Sequence, residues 1–383
     1  MTIPAEFDEI RPFMPEELPY VFDRLLADEE VKKIIKTFIP RIPYFFIKYR
    51  VKSCKTNLEF QQKIAYPIVK KSWADCTNGC TFDYSATPNK DMRYTFISNH
   101  RDIVLDSAYL CGLLYKHGFP TTVEIAIGDN LLIKPWIKDL VRINKSFVVQ
   151  RSVTGRELLM ASKRMSEYMH FAVTQKKENL WIAQREGRAK DSNDRTQDAV
   201  LKMVAMGGKG SHVDSIKEMN IVPLSISYEY DPCDYLKAKE FQQKRDNPEF
   251  KKSKEDDLNN MATGIKGFKG RVHYCTAPCV NTWIDEIADL PKADFFTQLA
   301  QRMDKEIHLR YRLYPCNYVA ADLLNNNTDN SGEYTPQEKK NFENYLADRI
   351  ALIDLPNKDE GFLRKSILTM YANPVFNQQA ARS

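Results

Sequence analysis

The middle of the chain alternates short apolar, β-prone runs with longer stretches of helical periodicity. Such runs occur at 94–98, 123–127, 147–150, 180–183, 221–228 and 271–275. The stretches between several of them have helical patterns, of which 156–176 is the longest. Strands that alternate with helices are typical of an α/β domain with a largely parallel sheet. The sequence therefore predicts an α/β fold, with a mostly parallel sheet flanked by helices.

The two ends of the chain have helical patterns instead. Residues 15–87 are predicted to be mostly helical, broken at several prolines that include Pro40. Thr335 and Glu338 have the spacing of a capping box that opens a C-terminal helix. We therefore predict an N-terminal helical region at 1–90, an α/β domain at 91–324 and a C-terminal helical tail at 325–383. The lysine-rich stretch 237–260 is predicted to be a solvated helical insertion.

Composition excludes several classes of protein. The 383 residues are 43% hydrophobic and 28% charged, which fits a folded domain and not a disordered chain. Apolar runs are far shorter than the roughly 20 residues that span a bilayer. The acidic N-terminus does not resemble a signal peptide. The eight cysteines lack zinc-type spacing and are interpreted as reduced thiols of a cytoplasmic protein, with no metal expected.

The net charge of +5 is weak evidence for a partner, but the charge is uneven. Residues 1–30 hold nine acidic and two basic residues, whereas residues 31–58 hold eight basic residues and no acid. The basic residues, which include Arg41, alternate with aromatic ones. This pattern suits an anionic membrane surface or a nucleic acid. A basic helix docked on the acidic N-terminus is the simpler interpretation. Because no nucleic-acid-binding motif is visible, no nucleic acid is expected as a partner.

The corner after the first middle strand carries the best candidate for chemistry. His100 lies where that strand ends, and Asp106 lies in the helix that follows. Sites of α/β proteins lie at the carboxyl ends of their strands. A histidine oriented by a carboxylate can act as a general base on a hydroxyl. Asp102 is the alternative orienting residue, although its short side chain favours capping the helix.

Basic residues follow two further strands. Arg151 comes directly after one strand, and Arg185, Arg188 and Lys190 come after another. Residues 134–190 hold 13 basic and five acidic residues in all. Each arginine alone is more simply a solvated surface charge. Together, at the same sheet edge as His100, guanidinium groups suit a phosphate. A base beside a phosphate clamp indicates acyl transfer to a phosphorylated alcohol.

Four blocks of the sequence resemble the glycerolipid acyltransferases, of the glycerol-3-phosphate or 1-acylglycerol-3-phosphate acyltransferase type. They occur in the family's order and comprise His100 to Asp106 (similar to H-x-x-x-x-D), 147–151 ending in Arg151, Glu186-Gly187-Arg188 with Lys190, and the apolar run around Pro223. Two spacings differ from the family's pattern. Five residues separate His100 from Asp106 instead of four, and Glu186 precedes Arg188 by two positions instead of three.

The resemblance implies direct acyl transfer in phospholipid biosynthesis. His100, held by Asp106, would deprotonate the acceptor hydroxyl, which attacks the thioester of acyl-CoA or acyl-carrier protein. No cofactor or metal is implied beyond this donor substrate. The protein would be cytoplasmic and peripheral, on the anionic inner face of the membrane. The residues implied to bind the phosphorylated glycerol or lysolipid acceptor are Arg101, Arg151, Glu186, Gly187, Arg188 and Lys190.

Two other functions remain open from the sequence. One is O-acylation of a different lipid acceptor, such as an amino-acid lipid, which carries no phosphate for Arg151. The other is a non-catalytic, membrane-associated lipid-binding protein of the same fold. The pair of His100 and Asp106 favours an enzyme over the second alternative.

Overall fold

The computed structural model describes residues 3–38 and 42–383, so the predicted break at Pro40 and the basic Arg41 lie outside the described residues. The strands of the described chain are β1 (Cys80–Asp83), β2 (Thr95–Ser98), β3 (Val123–Gly128), β4 (Ser146–Val149), β5 (Asn179–Ala183), β6 (Ile221–Tyr228) and β7 (Val272–Thr276). They form one sheet in the order β1-β7-β6-β2-β5-β3-β4. From β6 to β4 every neighbouring pair is parallel. The predicted α/β fold with a mostly parallel sheet is confirmed.

Helices cover the sheet and extend the fold at both ends of the chain. In chain order they are α1 (Leu18–Ala27), α2 (Glu29–Phe38), α3 (Tyr44–Lys52), α4 (Asn57–Phe60), α5 (Tyr66–Cys76), α6 (Leu105–Lys116), α7 (Pro135–Ile143), α8 (Gly155–Thr174), α9 (Asp198–Val204), α10 (His212–Glu218), α11 (Asp234–Asp246), α12 (Lys254–Lys266), α13 (Lys292–Leu309), α14 (Pro315–Asn325), α15 (Pro336–Ala351) and α16 (Glu360–Arg382). Within the described residues, no helix is long and apolar enough to cross a membrane.

Both faces of the sheet are buried, because successive strand residues point to opposite sides. On one face Trp181 of β5 packs in a cluster with α6 and part of α5. On the other face Ile182 packs in a cluster with α8, α9, α10 and α13. This sandwich holds the carboxyl ends of the parallel strands in fixed positions, and the candidate site lies at these ends.

Two further apolar clusters lie outside the sheet. Residues of α1 to α4 pack with Ile143 of α7, which attaches the N-terminal helices to the α/β core. Residues of α14, α15 and α16 pack with Ala238 of α11. The predicted capping box is present at the start of α15. The side chain of Thr335 accepts from the N–H of Glu338, and the Glu338 carboxylate accepts from the N–H of Thr335.

Two predictions about local structure need correction, and the sheet is reversed at one edge. Residues 80–83, placed in the helical N-terminal region, form β1. β7 runs antiparallel to β6, and β1 follows the direction of β7, so one edge of the sheet is reversed. The stretch 237–260 is mostly helical, as predicted, but its first part is not solvated, because Lys237, Glu240 and Gln242 of α11 are buried. Lys237 pairs there with Asp231 and Glu240 pairs with Lys190, which satisfies charges that the sequence pattern assigns to solvent.

Candidate active site

His100 and Asp106 meet at the corner between β2 and α6. The Nδ1 atom of His100 lies 2.7 Å from Oδ2 of Asp106. The same oxygen accepts hydrogen bonds from the backbone N–H groups of Arg101 at 2.6 Å and of Asp102 at 3.0 Å. Because Asp106 is fully buried and held by two amides, its carboxylate fixes the imidazole with Nδ1 as the donor. The lone pair of Nε2 is then available to accept a proton.

The surroundings of His100 hold the corner rigid and leave the imidazole reachable. Its side chain is 12% exposed, and within the described residues Nε2 has no hydrogen-bond partner. The ring stands edge-on to Trp181 with 5.6 Å between the centroids, and the indole N–H donates to the Ser98 hydroxyl. The side-chain amide of Asn99 exchanges two hydrogen bonds with the backbone of Ile226 on β6. The carboxyl ends of β2, β5 and β6 therefore support one exposed nitrogen.

Asp102, the alternative partner of His100, caps the helix instead. Its Oδ1 atom accepts from the N–H groups of Val104 at 2.9 Å and Leu105 at 2.8 Å. Its other oxygen faces α12 so closely that a Cβ atom on Gly264 would lie 2.1 Å away. Burial raises the pKa of Asp102 above its ordinary value, and the nearby Asp106 adds to this effect. In this structure Asp106 is the carboxylate that contacts the imidazole.

Arg101 lies in the interior, whereas the resemblance implied a substrate contact at the mouth of the site. Its Nη2 atom lies 2.7 Å from Oδ2 of Asp194, which also accepts from the Tyr311 hydroxyl at 2.7 Å. Burial acts to lower the pKa of Arg101, but the Asp194 carboxylate keeps it above the ordinary value. The side chain of Arg101 is thus anchored away from solvent while its N–H group holds Asp106. Arg101 links a buried ion pair to the corner of His100.

Arg151 follows β4, the last strand in the sheet order. Its side chain extends across the carboxyl end of β3 toward the end of β5. Its side chain lies across Gly128 at the end of β3, where an added Cβ atom would lie 3.2 Å from Nε. The carboxylate of Asp129 accepts from the backbone N–H groups of Arg151 and Ser152 and pins this loop. Nη1 of Arg151 lies 3.4 Å from Glu186, beyond the end of β5. The guanidinium is about one-third exposed and faces solvent.

The other basic residues after β5 are directed away from Arg151. Arg188 lies 3.4 Å from the side-chain oxygen of Asn260 on α12. Burial acts to lower the pKa of Arg188, and the surrounding Cys233, Asp231 and Asp102 raise it overall. Lys190 pairs with Glu240 on α11, and burial lowers the pKa of Lys190 despite that pair. These two cations neutralise protein carboxylates and do not join Arg151 in a single clamp.

Gly187 adopts a left-handed conformation with φ of 66° in an exposed turn. An added Cβ atom there would meet nothing within 4 Å, so the glycine serves the turn and not a close packing contact. Glu186, the neighbouring residue, is exposed. The structure therefore brings Arg151, Glu186 and Gly187 to the exposed rim. The chemical role of each remains a prediction.

Several residues that shape the site were not identified from the sequence. Gly128 ends β3 and Asp129 follows it at the same edge, and this position at the end of a strand could have identified them. Asp194 and Tyr311 carry no such signal, because they meet Arg101 only through the fold. An open groove of about 600 Å³ runs beside β4 and is lined by Asp129 and Gln150 next to Arg151. It does not include His100.

Comparisons with known proteins give little that bears on this geometry. No family model matches the chain, and no curated protein matches it. Among solved structures, the chain is similar to the 1-acyl-sn-glycerophosphate (LPA) acyltransferase PlsC from Thermotoga maritima, with 11% sequence identity and a TM-score of 0.38. The match covers 76% of this chain and 95% of that chain. A likeness this distant carries no argument, so function is argued from this chain's own residues.

Proposed function

We propose that this protein is an acyltransferase that moves a fatty acyl group from an acyl thioester to a hydroxyl of a phosphorylated glycerol acceptor. The observation that carries the proposal is the pair of His100 and Asp106 at the carboxyl edge of the parallel strands. One imidazole nitrogen is fixed by a buried carboxylate at 2.7 Å, and the other is left without a protein partner within the described residues. This is the geometry of a general base that acts on a bound substrate.

The proposed reaction is one direct transfer. Nε2 of His100 takes the proton of the acceptor hydroxyl as the oxygen attacks the thioester carbonyl carbon. The new C–O bond forms, the C–S bond breaks, and the proton passes from the imidazolium to the departing thiolate. Asp106 stabilises the imidazolium and maintains the ring orientation. General acid–base help of this kind contributes about 10²–10⁴-fold to a rate.

Arg151 is the residue best placed to bind the acceptor phosphate. Its contact with Glu186 is long, at 3.4 Å, and the Glu186 side chain is well exposed, so a phosphate can compete for the guanidinium. Arg188 and Lys190 lie further along the same turn and add positive potential, although carboxylates already surround them. A phosphate held at this rim would position the hydroxyl for His100.

The donor is proposed to be acyl-CoA or acyl-carrier protein, and the acceptor is proposed to lie at an anionic membrane surface. On α3, Phe45, Phe46 and Tyr49 are between 55% and 76% exposed, and Lys48 is exposed beside them. The simpler interpretation, docking on the acidic N-terminus, holds for Lys52 of α3, which pairs with Asp23 of α1, and for Lys32 of α2, which pairs with Glu29. Exposed aromatic and basic side chains together favour a peripheral position on the inner face of a membrane.

One observation favours a second candidate acceptor. The Arg151 guanidinium already faces the Glu186 carboxylate, so an acceptor without a phosphate, such as an amino-acid lipid, would leave this pair undisturbed. The two acceptors differ in whether Arg151 contributes to binding. A non-catalytic lipid-binding protein of the same fold would bind lysolipid and form no product.

The experiment is an assay of the purified chain with acyl-CoA and with acyl-carrier protein. Glycerol-3-phosphate, 1-acylglycerol-3-phosphate and an amino-acid lipid are supplied side by side, and products are identified by mass spectrometry. The proposal predicts an acylated phosphoglycerol product. Acylation of the amino-acid lipid alone would establish the second candidate, and lysolipid binding without product would contradict the assignment as an enzyme.

A further inference from the structure

The first two turns of α8 project from the body of the protein. Every residue from 154 to 160 is exposed, and burial on this helix begins in earnest only at Met165. Three consecutive apolar residues lie in the projecting part. Leu158 is 42% exposed, Leu159 is 62% exposed and Met160 is 63% exposed. We call residues 154–160 the α8 tip.

The α8 tip lies at the edge of the sheet that carries the candidate site. α8 follows β4, and a helix that follows a parallel strand begins at the carboxyl edge of the sheet. His100 follows β2 at the same edge, and Arg151 lies between β4 and α8. The exposed apolar residues are therefore on the side of the molecule from which substrate would reach the imidazole.

The arrangement of the three apolar residues indicates the kind of partner. Consecutive residues of a helix point in directions about 100° apart, so Leu158, Leu159 and Met160 together face most of the circumference. A groove on another protein would cover one stripe of residues spaced three and four apart. A medium that is apolar all around the helix covers all three. The acyl region of a lipid bilayer is such a medium.

Charge on the α8 tip and beside it identifies the lipid class. Arg151, Arg156 and Lys163 flank the three apolar residues, against Glu157 alone as an acid between them. The ion pairs of Arg151 with Glu186 at 3.4 Å and of Lys163 with Glu167 at 3.6 Å are long and exposed, so lipid headgroups can compete for both cations. Basic residues beside an inserted apolar segment add attraction to anionic headgroups. A neutral bilayer would bury the same apolar surface but would lack this attraction.

We propose that the α8 tip inserts into the headgroup–acyl boundary of an anionic bilayer and turns the edge with His100 toward the lipid. The insertion is distinct from the exposed aromatic face of α3. Its consequence for catalysis rests on the proposed function, since a lipid acceptor would then enter the site from the bilayer. Insertion itself is measurable whether or not acyl transfer is observed.

The first arm of the test measures depth directly. Leu159→Trp is compared with wild type on vesicles of phosphatidylcholine with phosphatidylglycerol, with brominated acyl chains as quenchers. The proposal predicts a blue shift and quenching of the added indole. Leu352→Trp is the matched control, because Leu352 is 57% exposed just after α15. Its indole is expected to show neither change. An unchanged indole at position 159 on protein that co-sediments with the vesicles would overturn the proposal.

The second arm measures affinity and its consequence. Leu159→Gln combined with Met160→Gln is expected to weaken binding to anionic vesicles about tenfold or more, while Leu352→Gln changes it less than about twofold. Transfer to 1-acylglycerol-3-phosphate in vesicles should fall in the double variant, and transfer to dissolved glycerol-3-phosphate should not.

Three results would overturn the insertion. They are equal binding of wild type and the double variant, equal binding to neutral and anionic vesicles, and dimerisation in solution that the double variant abolishes. Absence of any acyl transfer by wild type would instead contradict the proposed function. The vesicle results would still decide whether the α8 tip inserts.

Discussion

Two histidine–carboxylate pairs in this protein have almost the same length and differ in what the second nitrogen does. His100 contacts Asp106 at 2.7 Å, and His170 contacts Glu218 at 2.6 Å. The Nε2 atom of His170 lies 3.0 Å from the Val204 carbonyl oxygen, so both of its nitrogens are engaged. His170 ties the C-terminal part of α8 to the ends of α9 and α10. A histidine–carboxylate pair alone therefore does not identify a general base. The second ring nitrogen must also be free to accept a proton from a substrate.

The two carboxylates differ as well. Asp106 is fully buried and accepts two backbone N–H groups in addition to the imidazole, whereas the side chain of Glu218 is 46% exposed. A buried carboxylate that two backbone N–H groups hold in place keeps an imidazole in one orientation, which a catalytic base needs and a packing residue does not. The comparison supports the proposed role of His100 as a base and favours a structural role for His170.

The largest expected effect is a difference between variants of His100 and His170 in the rate of acyl transfer and in stability. His100→Ala should lower the rate of acyl transfer by about 10³-fold or more, because the base is lost, with little change in unfolding free energy. His170→Ala should lower the unfolding free energy by about 1–3 kcal/mol, because a buried imidazole and both of its hydrogen bonds are lost, and should leave the rate per folded molecule unchanged. Steady-state assays and urea denaturation of both variants check this. Loss of activity in both variants at equal stability would remove the distinction.

The next effect separates the two aspartates beside His100. Asp106→Asn should lower the rate about 10²-fold, because the amide disturbs the orientation of the ring and no longer stabilises the imidazolium. Asp102→Asn should stay within a few fold of wild type, since an amide oxygen can still accept from the N–H groups of the helix. The two variants are compared in the same assay. The reverse order would identify Asp102 as the orienting residue.

A third histidine extends the comparison to pH. His308 is buried, lies 3.0 Å from the Asp194 carbonyl oxygen and faces Arg195. Burial lowers its pKa from 6.5 to about 4. Between these values the unfolded chain binds a proton that the folded chain does not, so this group costs stability as pH falls. Burial raises the pKa of Asp304 to about 6, so below that pH the folded chain binds a proton that the unfolded chain does not. Asp304 therefore adds stability as pH falls, which opposes the effect of His308.

His308→Gln removes only the first of these two contributions. The unfolding free energy of the variant relative to wild type should rise by about 2 kcal/mol between pH 7 and pH 5. Urea denaturation of both proteins at the two pH values measures this difference. A difference that is the same at both values would show that His308 does not titrate in this way.

The smallest expected effect concerns the rim. Arg151→Ala should raise KM for a phosphorylated acceptor about tenfold with little change in kcat, because the guanidinium is about one-third exposed and binds the acceptor away from the reacting oxygen. Arg382→Ala, at the exposed end of α16, is the control and should leave KM unchanged. If KM does not change in Arg151→Ala, the acceptor phosphate binds elsewhere or the acceptor has none.

Local sequence patterns predicted many of the helices and strands. They did not predict features that depend on which distant segments pair with one another. Alternation along the chain located most strands, and the spacing of Thr335 and Glu338 located the start of α15. The reversed direction of β7 could not be predicted, since a strand's own residues do not specify the direction of its neighbour. β1 has the sequence Cys-Thr-Phe-Asp, which lacks the neighbouring apolar residues that located the equally short β2 and β4.

In the candidate site, too, contacts between neighbouring elements could be predicted, and contacts between distant segments could not. His100 and Asp106 lie on neighbouring elements, so their meeting followed from a strand that ends and a helix that begins. Arg101 and Asp194 are far apart in the chain, and nothing local indicates that this arginine turns inward. Lys190 is predicted at the rim because it follows β5. Its pairing with Glu240 could not be predicted, since the lysine-rich composition of α11 indicates a solvated helix.

The most direct test of the central claim is continuous measurement of thiol release from an acyl thioester by the purified protein. The account predicts no release with donor alone, steady release once a phosphorylated glycerol acceptor is added, and loss of that release in His100→Ala. A burst of thiol before any acceptor is added would indicate a covalent acyl-enzyme and contradict direct transfer. Release that His100→Ala leaves unchanged would contradict the role of this histidine as the base.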